Sequence, residues 1–197
     1  MSTPEQYTLI YDGSFDGLLS AVFAVYANKY PPECAHISAD PNDGDLFGST
    51  ISVSSSAEHA TRVLERLQRQ LGRRGIQTLI YGFLIDDKDM PDTILRIVRL
   101  ALAQPDKPNI LSDYGHPDVM QWAQWVKTVG REKHHMEAFV RFEEYHVHDQ
   151  TEPTYIACIE PQFDILPLIT RFFRNRYADQ QWLIFDIGRN YGVYFDK

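Results

Sequence analysis

The apolar residues of this chain change their period near residue 135. Val119, Trp122, Val126 and Val129 recur every three or four positions, the spacing of one helical face. Met136, Ala138, Val140 and Phe142 then alternate with Glu137, Phe139, Arg141 and Glu143, the spacing of a strand with one apolar side. A chain that carries both periods is expected to fold as α+β, a mixed α/β protein.

The last third continues the strand texture. After the strand over 136–143, Asp149 to Pro153 reads as a turn and Tyr155–Ile159 as the partner of a hairpin. Asp164–Tyr177 has helical spacing. Trp182–Phe185 and Tyr191–Phe195 flank Gly188-Arg189-Asn190 as a second hairpin. The predicted C-terminal unit is therefore β-β-α-β-β, with helix Pro117–Lys133 before it.

The N-terminal two thirds are helix-rich with a few strands. Tyr7–Tyr11 and Ile51–Val53 are short strand candidates, and Phe15–Lys29 places Leu18, Leu19, Val22, Phe23 and Tyr26 on one face. Pro31 to Gly44 reads as a long connection. Ser55 or Ser56 can cap a helix over Ala57–Leu71, which Arg73-Arg74-Gly75 should end. Ile76–Ile85 suits a buried strand or a helix, with helix favoured by the spacing of Leu79, Phe83 and Leu84. Pro91 fits the first turn of another helix. The Pro- and Gly-bearing stretch Gln104–Gly115 marks a boundary between subdomains 1–104 and 116–197, within one domain over 1–197.

Composition narrows the function classes. With 44% hydrophobic and 13% aromatic residues the chain can bury a core. A formal charge of −8 disfavours nonspecific adhesion to nucleic acid, so any basic surface must be a segregated patch. Residues 131–197 carry 8 Lys and Arg against 11 Asp and Glu. Cys34 and Cys158 are too few for a disulfide framework and form no CxxC pair. The polar start Met1–Gln6 and the lack of a long apolar run predict a cytoplasmic protein with no membrane partner.

Three groups of residues can carry chemistry. Asp12-Gly13-Ser14-Phe15-Asp16-Gly17 joins a strand to a helix, where backbone N–H groups can hold phosphate and the aspartates a metal. The same residues also suit a tight turn with an Asp or Ser cap. His134 and His135 stand where a helix end is expected, suited to capping or to anion binding. On the helix 164–177, Arg171 and Arg174 lie opposite the apolar face, whereas ideal geometry returns Arg176 to the apolar sector, where it would need a carboxylate or phosphate. Arg141 faces away from Met136 and Val140, and Phe139 or Tyr145 can stack a base. His146 and His148 could chelate a metal but no third ligand is placed with them, so no metal or cofactor is expected. No nucleophile elbow, phosphate-binding P-loop or HExxH is present.

The run Gly130-Arg131-Glu132-Lys133-His134-His135-Met136-Glu137-Ala138-Phe139-Val140-Arg141-Phe142 resembles the signature of the bacterial DUF4130 family. Tyr155–Pro161, Ile165–Leu168, Phe172–Tyr177 and Gln181–Ile184 agree in order, and the opening Tyr11–Leu19 is similar. The family often has a second basic residue where this chain has His135. The resemblance implies a setting in DNA metabolism or repair, beside a radical-SAM DNA-repair protein; in some relatives the domain is joined to a uracil-DNA glycosylase-like domain. It assigns no activity and no catalytic residue. The leading expectation is an accessory that binds single-stranded or damaged DNA, or its radical-SAM partner, through His134, His135, Arg141, Arg171, Arg174 and Arg176. A metal-dependent enzyme acting on a nucleotide through Asp12, Ser14 and Asp16, and a protein-interaction module without nucleic-acid contact, are the alternatives.

Overall fold

The computed structural model describes residues 5–44, 48–85, 87–107, 110–146 and 152–197. The chain divides into two compact units, Met1–Trp125 and Val126–Lys197.

The first unit holds a parallel three-stranded sheet in the order β2-β1-β3. β1 is Tyr7–Ile10, β2 Ala35–Ser38 and β3 Ser49–Ser52. Leu9 of the central strand pairs with Ile37 on one side and Ile51 on the other. Parallel neighbours need a crossover, and α1 (Phe15–Ala27) supplies it between β1 and β2. β2 was hidden in the Pro- and Asp-rich connection: Ile37 is its one large apolar residue, too little for an alternation signal.

α2 (Ala57–Phe83) is longer than its sequence suggests. Ser56 caps its start, accepting a bond from the His59 N–H at 3.3 Å. Gly72 has φ 67° and ψ −177°, a backbone that side chains disfavour, so the helix breaks there and restarts. Arg73-Arg74-Gly75 is thus the opening of the second segment, not a stop. The favoured helix over 76–85 is present up to Phe83. α3 (Met90–Ala103) follows with Pro91 in its first turn.

Asp92 of α3 closes the open edge of β2. Its Oδ1 accepts from the Ile37 N–H at 2.8 Å, and Oδ2 lies 2.6 Å from His36 Nδ1. His36 Nε2 lies 3.1 Å from Asp43 Oδ2. Partial burial disfavours the charged ring, but the bonds to Asp92 and Asp43 together outweigh it and hold the His36 pKa above its usual value. A raised folded pKa adds stability that is complete below the unfolded value, about 6.5, and is lost as pH rises through the folded one. His36→Gln is therefore expected to lower the melting temperature most below about pH 6.5, with the deficit shrinking above it. Thermal melts of both proteins across that range check this; a deficit that grows with pH would refute it.

α4 (Pro117–Phe139) crosses from one unit into the other. It overturns the strand expected over 136–143. Lys133 Nζ pairs with Glu137 Oε1 at 2.5 Å, and the His135 and Phe139 rings lie 4.7 Å apart, both one helical turn on. These neighbour pairs and the helix-favouring Glu137 and Ala138 continue the helix through the alternating run. It ends at β-branched Val140, whose N–H still bonds Met136 O at 3.1 Å.

In the second unit β4 (Glu143–Tyr145), β5 (Thr154–Ile159), β6 (Gln181–Asp186) and β7 (Tyr191–Phe195) form one sheet in that order. β4–β5 and β6–β7 are antiparallel, and β5–β6 are parallel through α5 (Leu166–Arg176). The β-β-α-β-β order is as expected, with its first strand moved C-terminal to the helix. α5 buries Leu166, Ile169 and Phe173, and the sheet buries Trp182 and Ile184. Among the described residues no helix is long and apolar enough to cross a membrane. Cys34 and Cys158 are free thiols.

Candidate nucleic-acid interface

Aromatic side chains gather where β5 and β6 begin. Phe142 lies 5.4 Å from the Tyr177 ring at 74°, and 5.6 Å from Phe173. Trp182 stacks on Phe195 at 5.4 Å and is 1% exposed. Register pairs Tyr155 with Trp182, so both side chains stand on the same face. Beside this cluster opens a cavity of about 430 Å³, walled by Phe142, Tyr155, Tyr177 and Trp182, with Arg141 and Gln180 as its polar members.

Arginines surround the cluster. Arg141 lines the cavity itself. The Arg176 guanidinium lies 5.7 Å from the Tyr177 ring centre and its Nε donates to the Tyr177 hydroxyl at 3.4 Å. Arg174 lies 5.4 Å over Phe195. Both are in the last turn of α5, where the helix dipole favours cations. Arg176 is exposed, which corrects its expected burial: the last turn of α5 leaves the packed face before position 176. Arg171 is exposed as well. Among the described residues none of these four has a carboxylate within 4.0 Å.

The remaining predicted residues are placed elsewhere. His134 and His135 are exposed within α4, not at its end, and no described contact links them to the cavity. Phe139 is 64% and Tyr145 46% exposed, so both rings are open to solvent. Arg189, also basic by sequence, is turned inward. It donates to Asp186 Oδ2 at 3.1 Å and to the carbonyls of Pro161 and Gln162 at 3.0 and 2.8 Å.

In the first unit, the Asp12 turn is bonded to itself. Asp12 Oδ1 accepts from the Ser14 N–H at 3.0 Å and from its hydroxyl at 2.6 Å, and these bonds hold the Asp12 carboxyl below the usual range. Ser14 Oγ accepts from the Gly17 N–H at 2.9 Å as the α1 cap. A Cβ on Gly17 would fall 2.1 Å from Asp12 Oδ1, so only glycine lets that carboxylate lie against the first turn. The carboxylate thus occupies the space an anion would take at this helix start. Asp16 is exposed. Exposed His146 pairs with Glu144 at 2.9 Å, and His148 lies outside the described residues. Among the described residues no group of three or more His, Cys, Asp and Glu could hold a metal ion.

A second basic feature escaped the sequence reading. Arg62, Arg66 and Arg69 stand at i, i+4 and i+7 of α2, exposed on one face. Arg62 lies 5.1 Å over Phe23. The three border an apolar groove of about 360 Å³ that includes Val22, Tyr26 and Leu67. The Arg-x₃-Arg-x₂-Arg spacing is visible in the sequence, but the cap and stop signals that mark this helix carry no information about which face its arginines share.

No curated protein matches the chain significantly. The family model of DUF4130, a domain of unknown function, matches residues 88–197. The matched span takes in α3, α4 and all of the C-terminal sheet with its aromatic cluster; the Asp12 turn and the α2 arginines precede it. Since that span covers more than half of the sequence, the chain belongs to the DUF4130 family.

Proposed function

We propose that this protein is an accessory of DNA metabolism that binds single-stranded or damaged DNA through its C-terminal unit. One observation carries the reading: in an acidic chain, Arg141, Arg174 and Arg176 stand beside half-buried aromatic rings with no described carboxylate to neutralise them. Backbone phosphates pair with guanidinium groups, and bases stack on aromatic faces. Arg171 extends the surface along α5, while His134 and His135 would add charge only when protonated. The family resemblance supplies the setting in DNA metabolism and a radical-SAM DNA-repair protein as the partner to which bound DNA is presented, and the polar start and lack of a long apolar run support a cytoplasmic setting.

The test is a salt titration of a fluorescein-labelled oligothymidylate, with wild type against Arg171→Ala/Arg174→Ala. Log affinity should fall linearly with log salt, and the double variant should have a slope shallower by about 1.4, at about 0.7 per lost phosphate contact. No binding at low salt, or identical slopes, overturns the proposal. Co-purification of the partner that survives nuclease, in a chain that binds no oligonucleotide, would instead establish a protein-interaction module.

A further inference from the structure

We infer that the cavity beside Phe142, Tyr155 and Tyr177 receives one unstacked nucleobase; this rests on the nucleic-acid reading above and specifies what its surface holds. At about 430 Å³ the cavity is of the size that takes small planar ligands. Its aromatic walls are not all spent on packing. Trp182 forms a closed side, 1% exposed, while Phe142, Tyr155 and Tyr177 remain half-buried and keep surface open to a ligand. Phe142 and Tyr177 meet at 74°, so a flat ring can stack on one and present its edge to the other.

The polar members select the ligand class. An aromatic cage draws a quaternary ammonium to the ring faces, and fixed positive charge beside those faces opposes it. Here no lining residue carries a carboxylate, Arg141 is in the wall, and Arg176 lies over Tyr177. A cation would be repelled, whereas a ring attached to an anionic backbone satisfies both features. The side-chain amide of Gln180 makes no hydrogen bond to the described residues, although its backbone N–H bonds Tyr177 O at 3.4 Å. It offers donors and an acceptor to the edge of a base. Arg141 and Arg176 would then take the phosphates on either side of the inserted nucleotide. Extruding a base is cheapest from a single strand or a mispaired site, which matches the class of nucleic acid proposed.

Two labelled oligomers of equal length and charge decide the point: oligothymidylate, and a strand whose sugars carry no bases. Wild type should bind the base-free strand about tenfold more weakly, within the range known for stacking of one base. Tyr155→Ala should weaken oligothymidylate to the base-free level and leave the base-free affinity unchanged. Gln180→Ala, at a half-exposed position, should lower oligothymidylate affinity severalfold and serves if Tyr155→Ala does not fold. A single 2-aminopurine in the strand should be quenched by wild type and less so by either variant. Equal binding of both strands overturns the base pocket and leaves phosphate binding standing. Binding of neither strand overturns both. Saturable binding of tetramethylammonium in the same cavity would make it an ammonium cage and also overturn the inference.

Discussion

Arg189→Ala is expected to cost about 3 kcal/mol of stability, the low end of the loss for breaking a buried ion pair, because Asp186 is enclosed while the Arg189 side chain is 27% exposed. Asp186 is fully buried, and among the described residues its two oxygens accept only from Arg189: Oδ1 from the backbone N–H at 3.0 Å, Oδ2 from the guanidinium at 3.1 Å. Alanine keeps the first bond and deletes the second, leaving a carboxylate in the interior without its counter-charge. The carbonyls of Pro161 and Gln162 lose their donor in the same step. Urea unfolding measures the loss. Arg189→Met/Asp186→Asn should recover much of it, because the uncompensated charge is then gone. Arg189→Lys should fall between, since one ammonium cannot reach three acceptors in the geometry of a guanidinium fork. If Arg189→Ala unfolds like wild type, this network is not what holds the β6–β7 hairpin. The same variant separates structure from binding: under conditions where it is folded, its oligonucleotide affinity should equal that of wild type, unlike Arg171→Ala/Arg174→Ala.

That contrast shows where sequence stops being informative about basic residues. Arg171, Arg174, Arg176 and Arg189 look alike in a string. What separates them is whether a carboxylate folds beneath them, and Asp186 reaches Arg189 only once the β6–β7 hairpin forms. Strong periodicity did carry over: α1, α3, α5 and the β-β-α-β-β order were legible because their apolar spacings are sustained. Two elements were misread for opposite reasons. β2 is short, and its stability comes from β1 and from Asp92 across 55 residues rather than from its own composition. The run 136–142 alternates well, but side-chain pairs one turn apart decide for helix, and alternation alone does not weigh them. The cavity was not legible at all. Its walls come from residues 142, 155, 177 and 182, which share no local pattern and meet only through sheet register and the return of the chain after α5.

Gly82→Ala should destabilise the first unit by about 3 kcal/mol, the upper part of the range for overpacking a core. The sign is the informative part. In an open helix the same change would help, because glycine is about 1 kcal/mol worse than alanine in a helix interior. At position 82 of α2, however, a Cβ would fall 2.1 Å from Cη2 and 2.4 Å from Cζ3 of Trp122. That indole belongs to α4, is 2% exposed, and has its ring nitrogen without a hydrogen-bond partner among the described residues. It has nowhere to swing, and Trp125 already packs edge-on at 6.5 Å. The α2 backbone therefore lies directly against the ring, an approach only glycine permits. Trp122→Phe shortens the side chain at the point of conflict. In a double-mutant cycle, Gly82→Ala should cost much less in the Trp122→Phe background than in wild type, a coupling of about 1–3 kcal/mol for groups in contact. Additive costs would mean that the backbone of α2, not the ring, yields to the new methyl group. Circular dichroism melts of the four proteins supply the cycle, and the phenylalanine variant also removes the unpaired indole N–H, so its own cost should be smaller than the lost volume alone implies.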